Sequence, residues 1–273
     1  MTNGPIADEL ARLLDALTTL VSQASAAILA ACRSGLAARA KADLSPVTAA
    51  DEAAEAVLLA GLAKLLPGTP VVSEEAVAQA APAKLDGSFV LVDPLDGTRE
   101  LIAGRDEFTV NVAIVSAGRP VLGIVAAPAL GLLWRGADNM GAERMRLSPG
   151  APISAAAERV SIHTRRLPGG GLVAAVSRSH LDRETEAFLA RLPIAERLSC
   201  GSAIKFGRLA EGSADVYPRL SPTCEWDVAA GHALLSAAGG TVTRPDGAPL
   251  RYGGIADRFR IPAFVAWADP ARR

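Results

Sequence analysis

The chain has 273 residues, half of them hydrophobic and only 4% aromatic, with 28 Lys plus Arg against 29 Asp plus Glu. That length suits one large domain, or two lobes sharing a core, built mainly from small aliphatic side chains. A net charge of −1 argues against nucleic acid or an anionic membrane surface as a partner, and leaves room only for a local anion cleft.

Cys32, Cys200 and Cys224 are an odd count without CxxC spacing. This argues against a disulfide framework or structural zinc and for reduced thiols in a cytosol. No apolar run is expected to reach the length of a membrane span. Leu17 to Ala31 carries Thr, Ser and Gln and lacks a basic lead-in, so no signal peptide is expected. The chain reads as cytoplasmic, with a peripheral position at the inner membrane face as the alternative. A monomer or homodimer is expected, without nucleic acid and without stable membrane insertion.

In chain order, Ile6, Leu10, Leu13, Leu14, Leu17, Val21, Ile28 and Leu29 recur at helical spacing, which predicts an amphipathic helix ending at Gly35. Thr48 is the expected N-cap of a second helix, with Asp51 three residues on and Pro67-Gly68 as the stop. Short apolar runs at Val71-Val72 and Phe89 to Val92 predict strands that end on Ser73-Glu74-Glu75 and on Asp93. Phe108 to Val115, Val121 to Ala126 and Leu132 to Trp134 read as a meander, broken by turn signals such as Ala117-Gly118-Arg119-Pro120. Leu147 to Pro152 reads as a surface loop. A strand at Leu172 to Val176 follows, then helices at Asp182 to Leu192, Ser202 to Ala210 and Asp227 to Ala238, and strands near Thr241-Val242 and Ala263 to Ala266. Mixed elements of this kind predict alternating helix and sheet layers.

The most informative stretch is Val92-Asp93-Pro94-Leu95-Asp96-Gly97-Thr98-Arg99-Glu100. Two carboxylates stand three positions apart at the end of a buried strand. Pro94 fixes one dihedral between them and Gly97 permits a tight turn, which helps aim both acids, and the Leu95 carbonyl, into one space. Oxygen donors of this kind suit magnesium rather than zinc or copper. A helix beginning near Gly97 would add N–H groups for an anion. Alone, the stretch is equally consistent with a solvated turn. Glu74-Glu75 is a poor pair of neighbours without a cation. Asp51 and Asp227 alone would be a dipole-stabilising residue and an N-cap.

Asp51, Glu74-Glu75, Asp93 to Thr98 and Trp226-Asp227-Val228-Ala229-Ala230-Gly231 together resemble the signature of the inositol monophosphatase-like, lithium-sensitive, magnesium-dependent phosphatase superfamily. The match spans most of the chain. Within it, Ser45 to Asp51, Arg99-Glu100, Glu107 to Asn111, Ser177-Arg178-Ser179-His180, Gly201 to Phe206 and Tyr217-Pro218-Arg219 resemble the 3'(2'),5'-bisphosphate nucleotidase branch. Cys224-Glu225 falls in a variable segment of that pattern. The resemblance implies an α/β (α+β) fold, a layered α/β/α/β/α sandwich of the inositol monophosphatase/fructose-1,6-bisphosphatase type. It would be a single domain of two lobes, about 1–150 with the metal site and 151–273.

The function implied is Mg2+-dependent hydrolysis of the 3'-phosphate of adenosine 3',5'-bisphosphate, and of its sulfated relative, in sulfur assimilation. Glu74, Asp93, the Leu95 carbonyl, Asp96 and Asp227 would hold two magnesium ions, with Glu74 counted among the catalytic residues. A water oriented by Thr98, itself held by Asp51, would attack phosphorus in line. Gly97, Thr98, His180, Ser202, Lys205, Arg219 and Asp227 would contact the nucleotide. In isolation Lys205 and Arg219 are ordinary surface charges, His180 a loop hydrogen-bonder, and Glu75 a solvated acid. His163 and His232 read as structural or exposed, Gly169-Gly170-Gly171 as a connector, and Trp134 and Trp267 as core. The alternative enzyme is an inositol monophosphatase or broad sugar phosphatase with the same metal residues. A metal-regulated binding protein without turnover is the non-enzymatic alternative.

Overall fold

The computed structural model describes residues 5–35, 38–40, 46–79, 84–85, 87–179 and 181–272. Helix α1 (Pro5–Arg33) buries Leu14, Leu17, Val21, Ala24 and Ile28. A short antiparallel pair, β1 (Ala38–Ala40) and β2 (Pro46–Thr48), leads into α2 (Ala49–Leu65), whose Leu58 and Leu62 share that core. Thr48 caps α2 as expected: its hydroxyl accepts from the Ala50 N–H at 3.1 Å, and Asp51 accepts from the Thr48 N–H at 2.8 Å. One sequence expectation is corrected. Asp8–Arg33 is long and apolar enough, by length and composition, to cross a membrane. Half of that window is buried against the rest of the fold, because its apolar stripe is the one that packs on α2 and the sheet.

The first sheet has seven strands in sequential order. They are β3 (Val71–Ser73), which runs into α3 (Glu74–Gln79), then β4 (Ser88–Asp96), which runs into α4 (Thr98–Ile102), then β5 (Thr109–Ser116), β6 (Arg119–Ala127), β7 (Leu132–Ala137), β8 (Gly141–Arg146) and β9 (Ala157–Ile162). β3 and β4 are parallel and the other neighbours antiparallel. The period of two sorts side chains cleanly. Val90, Val92, Val110, Val112 and Ile124 face α1 and α2, whereas Phe89, Leu91, Ala113 and Val125 face the other way. The sequence reading omitted β8 and β9. Both are rich in charge, and Ala142, Met145 and Ile162 are their only buried residues, so no contiguous apolar run announces them. The sheet therefore continues past residue 150.

The second half adds β10 (Leu172–Ser177), α5 (Arg183–Leu189), β11 (Ile194–Cys200), α6 (Ile204–Ala210), β12 (Val216–Arg219), β13 (Thr223–Cys224), α7 (Glu225–Ala237), β14 (Thr241–Thr243), β15 (Arg260–Ile261) and β16 (Phe264–Trp267). Five of these strands form a sheet in the order β11-β10-β12-β16-β14, and β13 pairs with β15. β11 was also missed; it is an edge strand exposing Glu196 and Arg197, the kind of charge that protects an open edge. Helices α6 and α7 lie between the sheets, where Phe206, Leu209, Ala229 and Leu234 join Leu91 and Val125 of one sheet to Tyr217 and Phe264 of the other. Leu189 of α5 packs on the outer face of the small sheet with Val216 and Val265. The layers are α1–α2, large sheet, α6–α7, small sheet and α5: an α/β/α/β/α sandwich. Trp134 and Trp267 are both core.

Candidate active site

The buried run from Phe89 to Val92 delivers Asp93, only 1% exposed, to the end of β4. There the ladder to β5 slips: Asp93 pairs with Asn111, and the next pair is Asp96 with Thr109. Pro94 sits inside this bulge, where a missing N–H costs no ladder bond. The Leu95 N–H turns back to Asp93 Oδ1 at 3.0 Å. Gly97 then takes φ +93° as the N-cap of α4. That helix has five residues, a single turn, so its dipole adds little attraction for an anion.

Two helices bring acids from elsewhere. Asp51 is the third residue of α2, and Asp227 the third residue of α7, not its N-cap as it reads in isolation. Each carboxylate closes its own helix start. Asp227 Oδ2 accepts from the Cys224 N–H at 3.1 Å and from the Thr223 hydroxyl. Ligand oxygens of Asp93, Asp96 and Asp227 lie within 4.8 Å of one another. Burial, and then the charges of Glu74, Asp96 and Asp227, push the Asp93 carboxyl well above the ordinary range. Burial, and then Asp227, raise Asp96 to about 7, against the pull of Lys205 and Arg219. Crowded carboxylates of this kind call for a cation.

A profile of the inositol monophosphatase family matches residues 9–263. The chain belongs to that family. It is 40% identical over 212 residues to 3'(2'),5'-bisphosphate nucleotidase CysQ of Escherichia coli K12, covering 78% of this chain and 81% of that protein. Among solved structures, CysQ of Bacteroides thetaiotaomicron superposes with a TM-score of 0.77 at 33% identity, over 94% of this chain and 97% of that one. An inositol monophosphatase from Zymomonas mobilis superposes with a TM-score of 0.74 at 26% identity, over 98% and 95%.

In this family member the residues expected to hold metal converge on one cavity of ≈ 230 Å³, lined by Glu74, Asp93, Leu95, Asp96 and Asp227. Gly97, Thr98, Ser202, Lys205 and Arg219 line the same cavity. Asp51 stands behind it, accepting from the Thr98 hydroxyl at 3.0 Å while its other oxygen accepts from the Thr48 hydroxyl at 2.7 Å. His180 lies outside the described residues. Glu75 follows Glu74 in α3 and is not among the lining residues. His163 is exposed, and His232 is bonded to the Tyr252 hydroxyl at 2.9 Å. Burial holds His232 neutral by pulling it down to about 4.

Lys205 is not the ordinary surface charge it resembles in isolation. It is 2% exposed, with Nζ donating to the Cys200 and Ser202 carbonyls at 3.3 and 2.5 Å and lying 5.1 Å from the Tyr217 ring centroid. Burial pulls it down to about 8, against the attraction of Asp96. Burial also works against the Arg219 charge, but Tyr217, Asp227 and Asp96 raise it above its ordinary value. The sequence reading missed Tyr217 and Thr223 as site components. Tyr217 lay inside a quoted motif, and Thr223 precedes Asp227 by four residues, so only spacing could have flagged it.

Proposed function

We propose that the chain is a magnesium-dependent phosphatase that removes the 3'-phosphate of adenosine 3',5'-bisphosphate, with a place in sulfur assimilation. The observation that carries this reading is a pairing within one cavity: the Asp93–Asp96–Asp227 cluster at one end and two cations, Lys205 and Arg219, beside it. A monophosphate needs only the acidic end. A bisphosphate brings a second anion that ions engaged with the first cannot reach, and Lys205 and Arg219 supply its countercharge. The 40% identity to the E. coli nucleotidase supports the same reading.

The donor set suits a hard dication. All the donors are oxygens, and carboxyls raised by burial and mutual repulsion ionise readily once a dication sits among them. When bound, magnesium offsets the charge of the phosphate and stabilises the entering and leaving oxygens. Orientation and proton movement belong to the chain. Thr48 holds one oxygen of Asp51, which leaves the other for Thr98. With its proton directed at Asp51, the Thr98 hydroxyl keeps lone pairs free to accept a proton from the attacking water. As it does so, its own proton passes to Asp51.

The test is phosphate release from adenosine 3',5'-bisphosphate and from inositol 1-phosphate, with magnesium and with chelator. Activity is expected to vanish in chelator and to favour the bisphosphate. Lys205→Ala or Arg219→Ala should lower kcat/KM for the bisphosphate about 10- to 100-fold, and far less for inositol 1-phosphate. Faster wild-type hydrolysis of inositol 1-phosphate would replace the substrate assignment with the inositol phosphatase. Full activity in excess chelator would remove the metal from the reaction. Lithium inhibition is expected as well.

A further inference from the structure

Two motifs left without a role, Glu107-Phe108-Thr109 and Ser177-Arg178-Ser179, meet beside the cavity. Arg178 donates through Nε and Nη2 to the two carboxylate oxygens of Glu107 at 2.8 and 3.0 Å. The Gly201 N–H donates to Glu107 Oε2 at 2.9 Å. Ser202 Oγ lies 2.9 Å from the Glu107 carbonyl oxygen and 2.8 Å from that of Asp96, sharing its proton between them. A Cβ on Gly201 would run into the Glu107 backbone. Glu107 thus holds the 200–202 turn from both its side chain and its main chain. The carbonyls of Cys200 and Ser202 in that turn are the ones that anchor the Lys205 ammonium.

We propose that Glu107 is a positioning residue for substrates with two phosphates: it sets the separation between the acidic cluster and Lys205. The proposal rests on the nucleotidase reading above. Ser202 links the two ends directly, since it bonds the Asp96 main chain and carries a carbonyl that binds Lys205. It does so at φ +49°, a left-handed conformation that a serine keeps only where its surroundings over-determine it. Glu107 provides much of that determination. The hydrogen bonds from Arg178 hold its carboxyl below the ordinary range, so it stays ionised under working conditions. An ammonium tied to a turn moves with the turn, and displacements of about 1 Å cost of the order of 100-fold where two charged groups must engage one substrate together.

Glu107→Gln keeps an acceptor for Gly201 but breaks the fork to Arg178, and Glu107→Ala removes both. KM for adenosine 3',5'-bisphosphate should rise about tenfold in the first and further in the second, while kcat moves less than about threefold. The ratio of kcat/KM for the bisphosphate over inositol 1-phosphate should fall about tenfold. Adding Arg178→Gln to Glu107→Gln should cost less than the sum of the two single losses, because the fork is shared, but more than nothing, because Arg178 Nη2 also donates to the Ser199 carbonyl at 2.8 Å. Parallel losses on both substrates with a lowered Tm would assign Glu107 to the fold alone and overturn the proposal. An unchanged ratio in the variants, with wild type still preferring the bisphosphate, would overturn it while leaving the nucleotidase reading intact. A wild type without that preference would overturn both.

Discussion

At the scale of single residues, the site is a set of like charges held together at a cost, with the opposite charges of Lys205 and Arg219 lining the same cavity. Asp96 and Asp227 share the cluster but not their surroundings, since Asp227 also closes α7. Asp96→Asn and Asp227→Asn should each lower the rate about 10²- to 10⁴-fold at saturating magnesium, as lost electrostatic stabilisation. Both should fold, because removing a carboxylate relieves repulsion in the metal-free protein. Near-normal turnover in both would overturn their assignment. Lys205 makes a second prediction. With its pKa at about 8, it is charged below that pH and neutral above. The pH profile of kcat/KM reports the free enzyme. Magnesium held at Asp96 would weaken the attraction that supports the Lys205 charge, so for the bisphosphate the profile should fall as pH rises, at about 8 or below it, and Lys205→Arg should move that fall to higher pH.

At the scale of elements, the middle layer depends on close approach. Gly123 of β6 faces the backbone of α7, and an added Cβ would run into the Ala230 carbonyl. Gly231 of α7 faces the Phe206 ring, where a Cβ would meet a side chain instead. Overpacking a core site costs about 1–3 kcal/mol, occasionally more. Gly123→Ala should cost more than Gly231→Ala in chemical denaturation, because α7 would have to shift as a body whereas a ring can tilt. Helix starts matter in the same way. Thr48→Ala removes a hydroxyl that caps α2 and bonds Asp51. About 1 kcal/mol of stability is expected to go with it, together with a loss of kcat as Asp51 loosens behind Thr98. An unaltered kcat with lowered stability would separate the cap from the chemistry.

For the whole molecule, the two halves are joined at the site. The large sheet supplies Asp93 and Asp96, and α7 between the sheets supplies Asp227. Metal and pH should therefore act on global stability. Folded Asp93 and Asp96 titrate above their unfolded values, so the folded protein without metal binds more protons than the unfolded chain. Their contribution is fully present below roughly pH 4, the ordinary carboxylate range. It is lost as pH rises toward about 7. Tm in chelator should fall between pH 5 and pH 8, and magnesium should raise it more at pH 8, where its ligands ionise. An equal magnesium effect at both pH values would contradict this linkage.

Much of this protein was legible from local pattern. Asp51, Glu74, Asp93, Asp96 and Asp227 each stand in a short contiguous motif at a strand end or helix start, and the strands through Val92 and Val125 are uninterrupted apolar runs. Those features depend on neighbours a few residues away, which a sequence displays. The strands at Gly141–Arg146, Ala157–Ile162 and Ile194–Cys200 were not legible, because the first buries only Ala142 and Met145 and the other two are sheet edges, so their charges resemble loop. Nor was the burial of Lys205, since a lysine code carries no record of the turn and ring that enclose it. The Glu107–Arg178 pair joins residues 71 apart in sequence, and the Asp51–Thr98 bond residues 47 apart. Both contacts exist only because two sheets and three helix starts are stacked at fixed distances. Which acids share a cavity, and which cations face them, was settled by that packing.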